Sequence, residues 1–217
     1  VSKPYNASVL RKRLHNLISL HRSTERIQRI ERDELTGLYT KDAFCQNAAQ
    51  RLAGDPAGEY LIVVTNVEKF KLINDSFGAQ EGDRLLQFMA RRLTGEMAAV
   101  GGICGRMMAD RFIALVPRSV DDGELHSVVE QAQSDFADYP LNTKISVKFG
   151  VYPVEERELP ITLMCDRAML AANSIRGQYN CACAYYNDTI RQSLLKERQI
   201  TDSMREALEQ GQFCIYL

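Results

Sequence analysis

Seven polar residues stand where apolar runs of this 217-residue chain end. Asn66 and Glu68 close the run YLIVVTNV (60–67), and Asn74 and Asp75 follow on the next segment. Asp83 opens a long amphipathic stretch, and Asp110 and Arg111 sit at the reversal inside GRMMADRFIALVP (105–117). Strand and hairpin ends in one sheet often meet at a common edge, where a carboxylate from each can hold a divalent metal and, through it, a triphosphate. An amide with a carboxylate matches the edge of guanine, which offers two donors and an acceptor. Plainer roles fit the same residues. Asn74 in INDSFG suits a turn, Asp83 suits a helix N-terminus through the dipole, and Lys71 suits a solvated surface. Asp110 suits a hairpin tip paired with a neighbouring cation, Met107 and Met108 suit packing, and His15, His21 and His126 suit ordinary helix surfaces.

Positioning these residues requires a particular order of elements. Leu10, Leu14, Leu17, Leu20, Ile27 and Ile30 recur at roughly helical spacing before the globular part, as one long helix or two in line. Such a helix needs a partner surface, either a dimer seam or its own domain. Thr40 is placed to cap a helix from Lys41 to about Arg51. YLIVVTNV reads as a strand buried on both faces. A short helix, a turn around Gly78 and a long helix from about Glu81 follow, with Leu85, Leu86, Phe88, Met89 and Leu93 inward. Then come a hairpin of GGICGRM and RFIALVP, a helix over DDGELHSVVEQAQSDF and a strand in KISVKFGVYPV. A helix in ITLMCDRAMLAANSIRG, a short strand in CACAYYN and a charged amphipathic helix from Asp188 complete the pattern. The order predicts an α/β (α+β) fold, a mixed and mostly antiparallel sheet of about five strands flanked by helices, with long helices at both ends.

Bulk composition narrows the function classes. Lysine and arginine (27) nearly balance aspartate and glutamate (28), so no broad DNA or RNA footprint is expected. Six cysteines form no CxxC pair, which argues against zinc and for a reducing compartment. No apolar run is long enough for a membrane span and no signal-like segment opens the chain, so a cytoplasmic location is expected.

Taken in order, four motifs resemble the GGDEF (diguanylate cyclase) domain family over residues 33–186. DELTGLYTKDAF is similar to that family's D-x-L-T-G-L-x-N-R-x-x-F, and TNVEKFKLINDSFGAQEGDRLL to its D-x-D-x-F-K-x-I-N-D-x-x-G-H-x-x-G-D-x-L-L. GRMMADRFIALVP stands in the place of R-x-G-G-D-E-F-x-x-L-x-P, and CDRAMLAANSIRGQYN in that of A-D-x-A-L-Y-x-A-K-x-x-G-R-N. The resemblance implies a nucleotidyl-cyclase, palm-like fold that makes cyclic di-GMP from two GTP molecules with Mg2+, two domains meeting face to face. It implies guanine contacts for Asn74 and Asp83, an apolar wall from Leu38, phosphate contacts for Phe70 and Lys71, and a metal carboxylate in Asp110.

The departures fall on the catalytic apparatus. The first metal carboxylate is Asn66, the paired glycines are Met108 and Ala109, and the second acid of the signature is Arg111. The family histidine is Ala79, the late lysine is Asn173 and the late arginine is Gly177, with Arg176 one position away. The R-x-x-D feedback site falls on Ala99 and Gly102, so it is absent. Glycines at the tip let backbone and nucleotide approach closely, and side chains narrow that space.

The ends resemble neighbouring domains: KPYNASVLRKRLHNLISLHR the last loop and helix of a receiver domain, so that 1–32 is read as a receiver end and linker helix, and MREALEQGQFCIYL the entry to an EAL phosphodiesterase domain, so that 187–217 is read as a linker helix and the first strand of a truncated EAL domain. The expectation is a degenerate module of a receiver–GGDEF–EAL protein that lacks cyclase activity, binds GTP and regulates the EAL domain, with a homodimer through the N-terminal helix. An active cyclase and a structural dimerisation spacer are the alternatives.

Overall fold

A computed structural model describes residues 31–118, 122–137, 139–141 and 143–212 of the chain. The N-terminal helix, the receiver-like segment up to residue 30 and the FCIYL segment lie outside the described residues. The described residues fall into two compact units, 31–57 with 69–115, and 58–68 with those from 116 onward.

In the first unit, β1 (Tyr39–Thr40) leads into α1 (Lys41–Gly54). Thr40 caps that helix, its hydroxyl oxygen accepting the Ala43 N–H at 3.4 Å. The helices α2 (Phe70–Phe77) and α3 (Ala79–Val100) are divided at Gly78, whose φ of +88° suits glycine and ends the first helix. The hairpin strands are β3 (Ile103–Met108) and β4 (Arg111–Pro117), and β4 crosses the division between units after Leu115. β1 runs parallel to β3, placing Tyr39 beside Gly105 and Thr40 beside Arg106, while β3 and β4 are antiparallel. Phe44, Leu85, Leu86, Phe112 and Ile113 are buried and form the core of this unit. Each such side chain contributes about 1.5–3 kcal/mol through removal from water.

The second unit holds β2 (Tyr60–Val67), α4 (Asp122–Ala137), β5 (Val147–Pro153), α5 (Ile161–Ser174), β6 (Cys183–Tyr185) and α6 (Asp188–Glu209). β2 and β5 are antiparallel, with Asn66 opposite Lys148, and β6 lies parallel to β5. The buried residues Ile62, Val64, Val147, Val151, Met164 and Cys165 form its core. The amide side-chain oxygen of Asn187 accepts the Ile190 N–H at 3.0 Å and so caps α6. Leu195, Ile200, Met204 and Leu208 stay exposed along that helix.

The α/β class and the order of elements agree with the sequence reading, and the strand count is corrected to six among the described residues. The added strand is β1. Two residues cannot display a period, and Thr40 reads from sequence only as a helix cap. The long helix α3 starts at Ala79, two residues before Glu81.

Candidate functional site

The five residues assigned nucleotide contacts by resemblance, and Asp110 with them, all belong to the first unit. Lys69 enters α2 in a left-handed conformation (φ 58°), turning the chain so that Phe70 and Lys71 start the helix. Phe70 is half-buried, Lys71 is exposed and Leu38 is buried. Asn74 lies within α2 rather than in a turn, and its carbonyl takes the capping Gly78 N–H. Asp83 is exposed and is the fifth residue of α3, one step past the first turn, where Glu81 is the acid facing the dipole.

Asn74, Phe70 and Gly82 meet where α2 packs on α3. A side chain at Gly82 would overlap the Asn74 amide oxygen and come within 3.2 Å of the Phe70 ring. That oxygen is buried and has no hydrogen-bond partner among the described residues. A buried acceptor left unmet costs about 1–3 kcal/mol. The α2–α3 junction therefore holds an amide oxygen whose bonding capacity is unused, pressed against Gly82, and the exposed Asp83 follows Gly82 in sequence.

The hairpin tip is a two-residue turn, Ala109–Asp110, with Met108 opposite Arg111 and a bulge between Arg106 and Met108. Ala109 adopts φ +46°, a conformation that favours glycine. Arg106 steadies it: its Nε and an NH2 group donate to the Ala109 carbonyl at 3.0 and 2.8 Å. The other terminal nitrogen of Arg106 donates to both oxygens of Asp33 at 2.9 and 3.2 Å. Asp33 also accepts from the backbone and hydroxyl of Thr36, which folds the opening loop onto itself. Gln87, one turn after Asp83, donates to the Leu35 carbonyl at 3.3 Å in the same loop. One loop thus joins α3 to the hairpin tip. Met108 is not packed as its type suggests, being 61% exposed, because the bulge and tight turn put it at the rim.

Partial burial alone would raise the Asp33 carboxyl, but hydrogen bonds from Thr36 and Arg106 outweigh it and leave the pKa below the ordinary 3.8. A depressed carboxylate contributes stability that is present above 3.8 and lost as pH falls through the folded-state value. Asp33→Asn is expected to cost about 1–2 kcal/mol at neutral pH. The difference from the parent should vanish in urea melts taken progressively below pH 3.8.

The second unit carries a polar cluster around Glu68 whose other members, Ser146, Lys148 and Gly177, were not singled out from sequence. One Glu68 oxygen accepts the Ser146 hydroxyl at 2.9 Å and the other accepts the Gly177 N–H at 2.6 Å. Lys148, only 3% exposed in its side chain, places its ammonium 3.8 Å from Glu68 and donates to the carbonyls of Gln178 and Cys181 at 2.5 and 2.7 Å. The nearby Cys183 thiol is pushed up to about 11 by burial, with Cys181 adding to the effect, so it is a poor nucleophile at neutral pH. The detectable signal was a lysine at the second position of VKFGVYP, a strand otherwise apolar on both faces.

These side chains do not fit a divalent metal. Asn66 is a neutral amide, Glu68 is committed to three partners, and a buried ammonium stands directly across the ladder from Asn66. Among the described residues, no three His, Cys, Asp or Glu side chains converge. Hard cations such as Mg2+ need carboxylate oxygens.

A helix-flanked mixed sheet with a braced hairpin is a cyclase-like fold. Residues 30–178 match the family described as "Diguanylate cyclase, GGDEF domain", and the chain belongs to that family, the domain of cyclic di-GMP signalling. The signalling protein YkoW of Bacillus subtilis (strain 168) is 26% identical over 197 residues, 85% of this chain and 24% of YkoW. The coiled coil and GGDEF domain of DgcB from Caulobacter crescentus, solved in complex with c-di-GMP, shares the fold at TM-score 0.70 and 21% identity, over 82% of this chain and 98% of that one. The S helix–GGDEF–EAL part of Vibrio cholerae LapD, bound to c-di-GMP, gives TM-score 0.63 and 16% identity, over 85% and 46%. The chain spans about a quarter of the length of curated relatives such as YkoW. No described helix is long and apolar enough to cross a membrane.

Proposed function

We propose that this chain is a regulatory GGDEF module that binds GTP without cyclising it. The observation that carries this reading is the hairpin tip, where Ala109 holds the glycine-favouring conformation, Met108 projects, and Arg111 stands where the family has an acid. Asn66, opposite a buried lysine, supports the loss of metal chemistry. The unmet Asn74 oxygen beside Asp83 and the Leu38 wall support a retained guanine site, with Phe70 and Lys71 toward the phosphates.

The module reports to its neighbours through its ends, with boundaries at residues 33 and 186. The receiver-like segment precedes it, and α6 leads toward an EAL phosphodiesterase domain. The exposed row Ile200, Met204 and Leu208, four residues apart on α6, supports a helix that packs against further protein. LapD carries GGDEF and EAL domains in one chain. GTP biases the EAL domain to the extent that it prefers one arrangement of the pair.

Incubation of the chain with GTP and manganese, followed by chromatography, is expected to give no cyclic di-GMP, while calorimetry shows GTP binding. Product that forms, and then disappears on Asp110→Ala, would establish an active cyclase instead. Absence of GTP binding would leave a dimerisation spacer.

A further inference from the structure

We infer that this chain takes its nucleoside triphosphate without a divalent cation, fixed side-chain cations meeting the phosphate charge with Arg111 first among them. The inference rests on the nucleotide-binding reading above and concerns how that same site handles charge. A triphosphate brings several negative charges to a partly desolvated surface, so something positive must accompany it. Within the first unit one substitution moves this chain's own charge in that direction, an acid to a guanidinium at Arg111. In the second unit the face that bears Asn66 already carries a buried cation, the Lys148 ammonium, held by Glu68 and two carbonyls. A divalent ion brought there would meet like charge and no free carboxylate.

In the first unit, Arg111 is uncommitted. Its guanidinium meets Met108 Sδ at 4.0 Å, and among the described residues no carboxylate pairs with it. Lys71 is exposed and likewise makes no ion pair there. Arg111 is also held in a defined place, because the turn it follows is clamped by Arg106 to Asp33. The opening loop that carries Asp33 is in turn tied to α3 through Gln87, one turn from Asp83. A guanidinium so placed is planar, permanently charged and able to grip a phosphate with two parallel N–H bonds.

Calorimetric titration of the chain with GTP, once with excess magnesium and once with EDTA, tests this directly. Uncomplexed GTP carries more negative charge than its magnesium complex, so the affinity in EDTA is expected to equal or exceed that in magnesium. Arg111→Glu is expected to weaken binding in EDTA about tenfold, and Arg111→Lys by no more than about threefold. Mn2+ alone is expected to produce no binding isotherm. The inference is overturned if magnesium tightens GTP binding tenfold or more, or if Arg111→Glu binds as the parent does; either result leaves the nucleotide site standing. A chain that binds GTP in neither buffer overturns both this inference and the proposed function.

Discussion

Replacing Lys148 with methionine is expected to lower stability by about 3 kcal/mol, since removing one partner strands a largely buried charge. For a chain of this size that corresponds to a drop of about 6–12 °C in Tm. Methionine keeps the apolar length of the stem but has no donor. The carbonyls of Gln178 and Cys181 would lose their bond, and Glu68, whose side chain is only 14% exposed, would lose its nearest cation. Glu68→Gln in the same background should recover part of the loss, because a neutral amide still bonds Ser146 and Gly177 without stranding a charge. Urea melts of the four proteins of this cycle give the coupling energy. Additivity of the two substitutions would mean that the pair contributes nothing as a pair.

Gly82→Ala is expected to do the opposite, leaving stability nearly unchanged while weakening GTP binding about tenfold. Alanine in a helix interior is favoured over glycine by up to about 1 kcal/mol. The atom it would strike is the far end of the Asn74 side chain, which can swing away, and the Phe70 ring need yield only slightly. The fold survives, but the amide no longer sits where a guanine edge would meet it. Two controls separate the effects. Asn74→Ala should lose the same affinity, and Gly82→Ala combined with Asn74→Ala should lose no more than either alone. If Gly82→Ala binds GTP as the parent does, the base does not use Asn74.

Much of this arrangement is legible in the residues themselves. The run YLIVVTNV occupies β2 residue for residue because β-branched and aromatic side chains buried on both faces admit few alternatives. The Gly78 break and the Thr40 cap follow from local chemistry and stand as expected. What stays hidden depends on pairing across the chain. β1 exists only because β3 lies beside it. The brace from Arg106 to Asp33 spans 73 residues, and nothing in either segment announces the other. Asp83 reads as a helix-start acid, yet that place belongs to Glu81, since the helix begins earlier than its apolar face suggests. Met108 reads as packing and is exposed, because a bulge shifts the register that a simple alternation assumes. The unmet Asn74 oxygen is invisible in sequence, for burial of one atom against a neighbouring backbone has no signature of its own.

The Arg106 brace also bears on reversibility. It grips the Ala109 carbonyl, so the tip is held through a backbone atom rather than through the Ala109 side chain. Ala109 already occupies the backbone conformation that glycine adopts most readily. A change from Ala109 to glycine would relieve backbone strain while leaving the bonds from Arg106 in place. The backbone of the hairpin tip is thus held by a residue three positions away rather than by the residues of the turn itself.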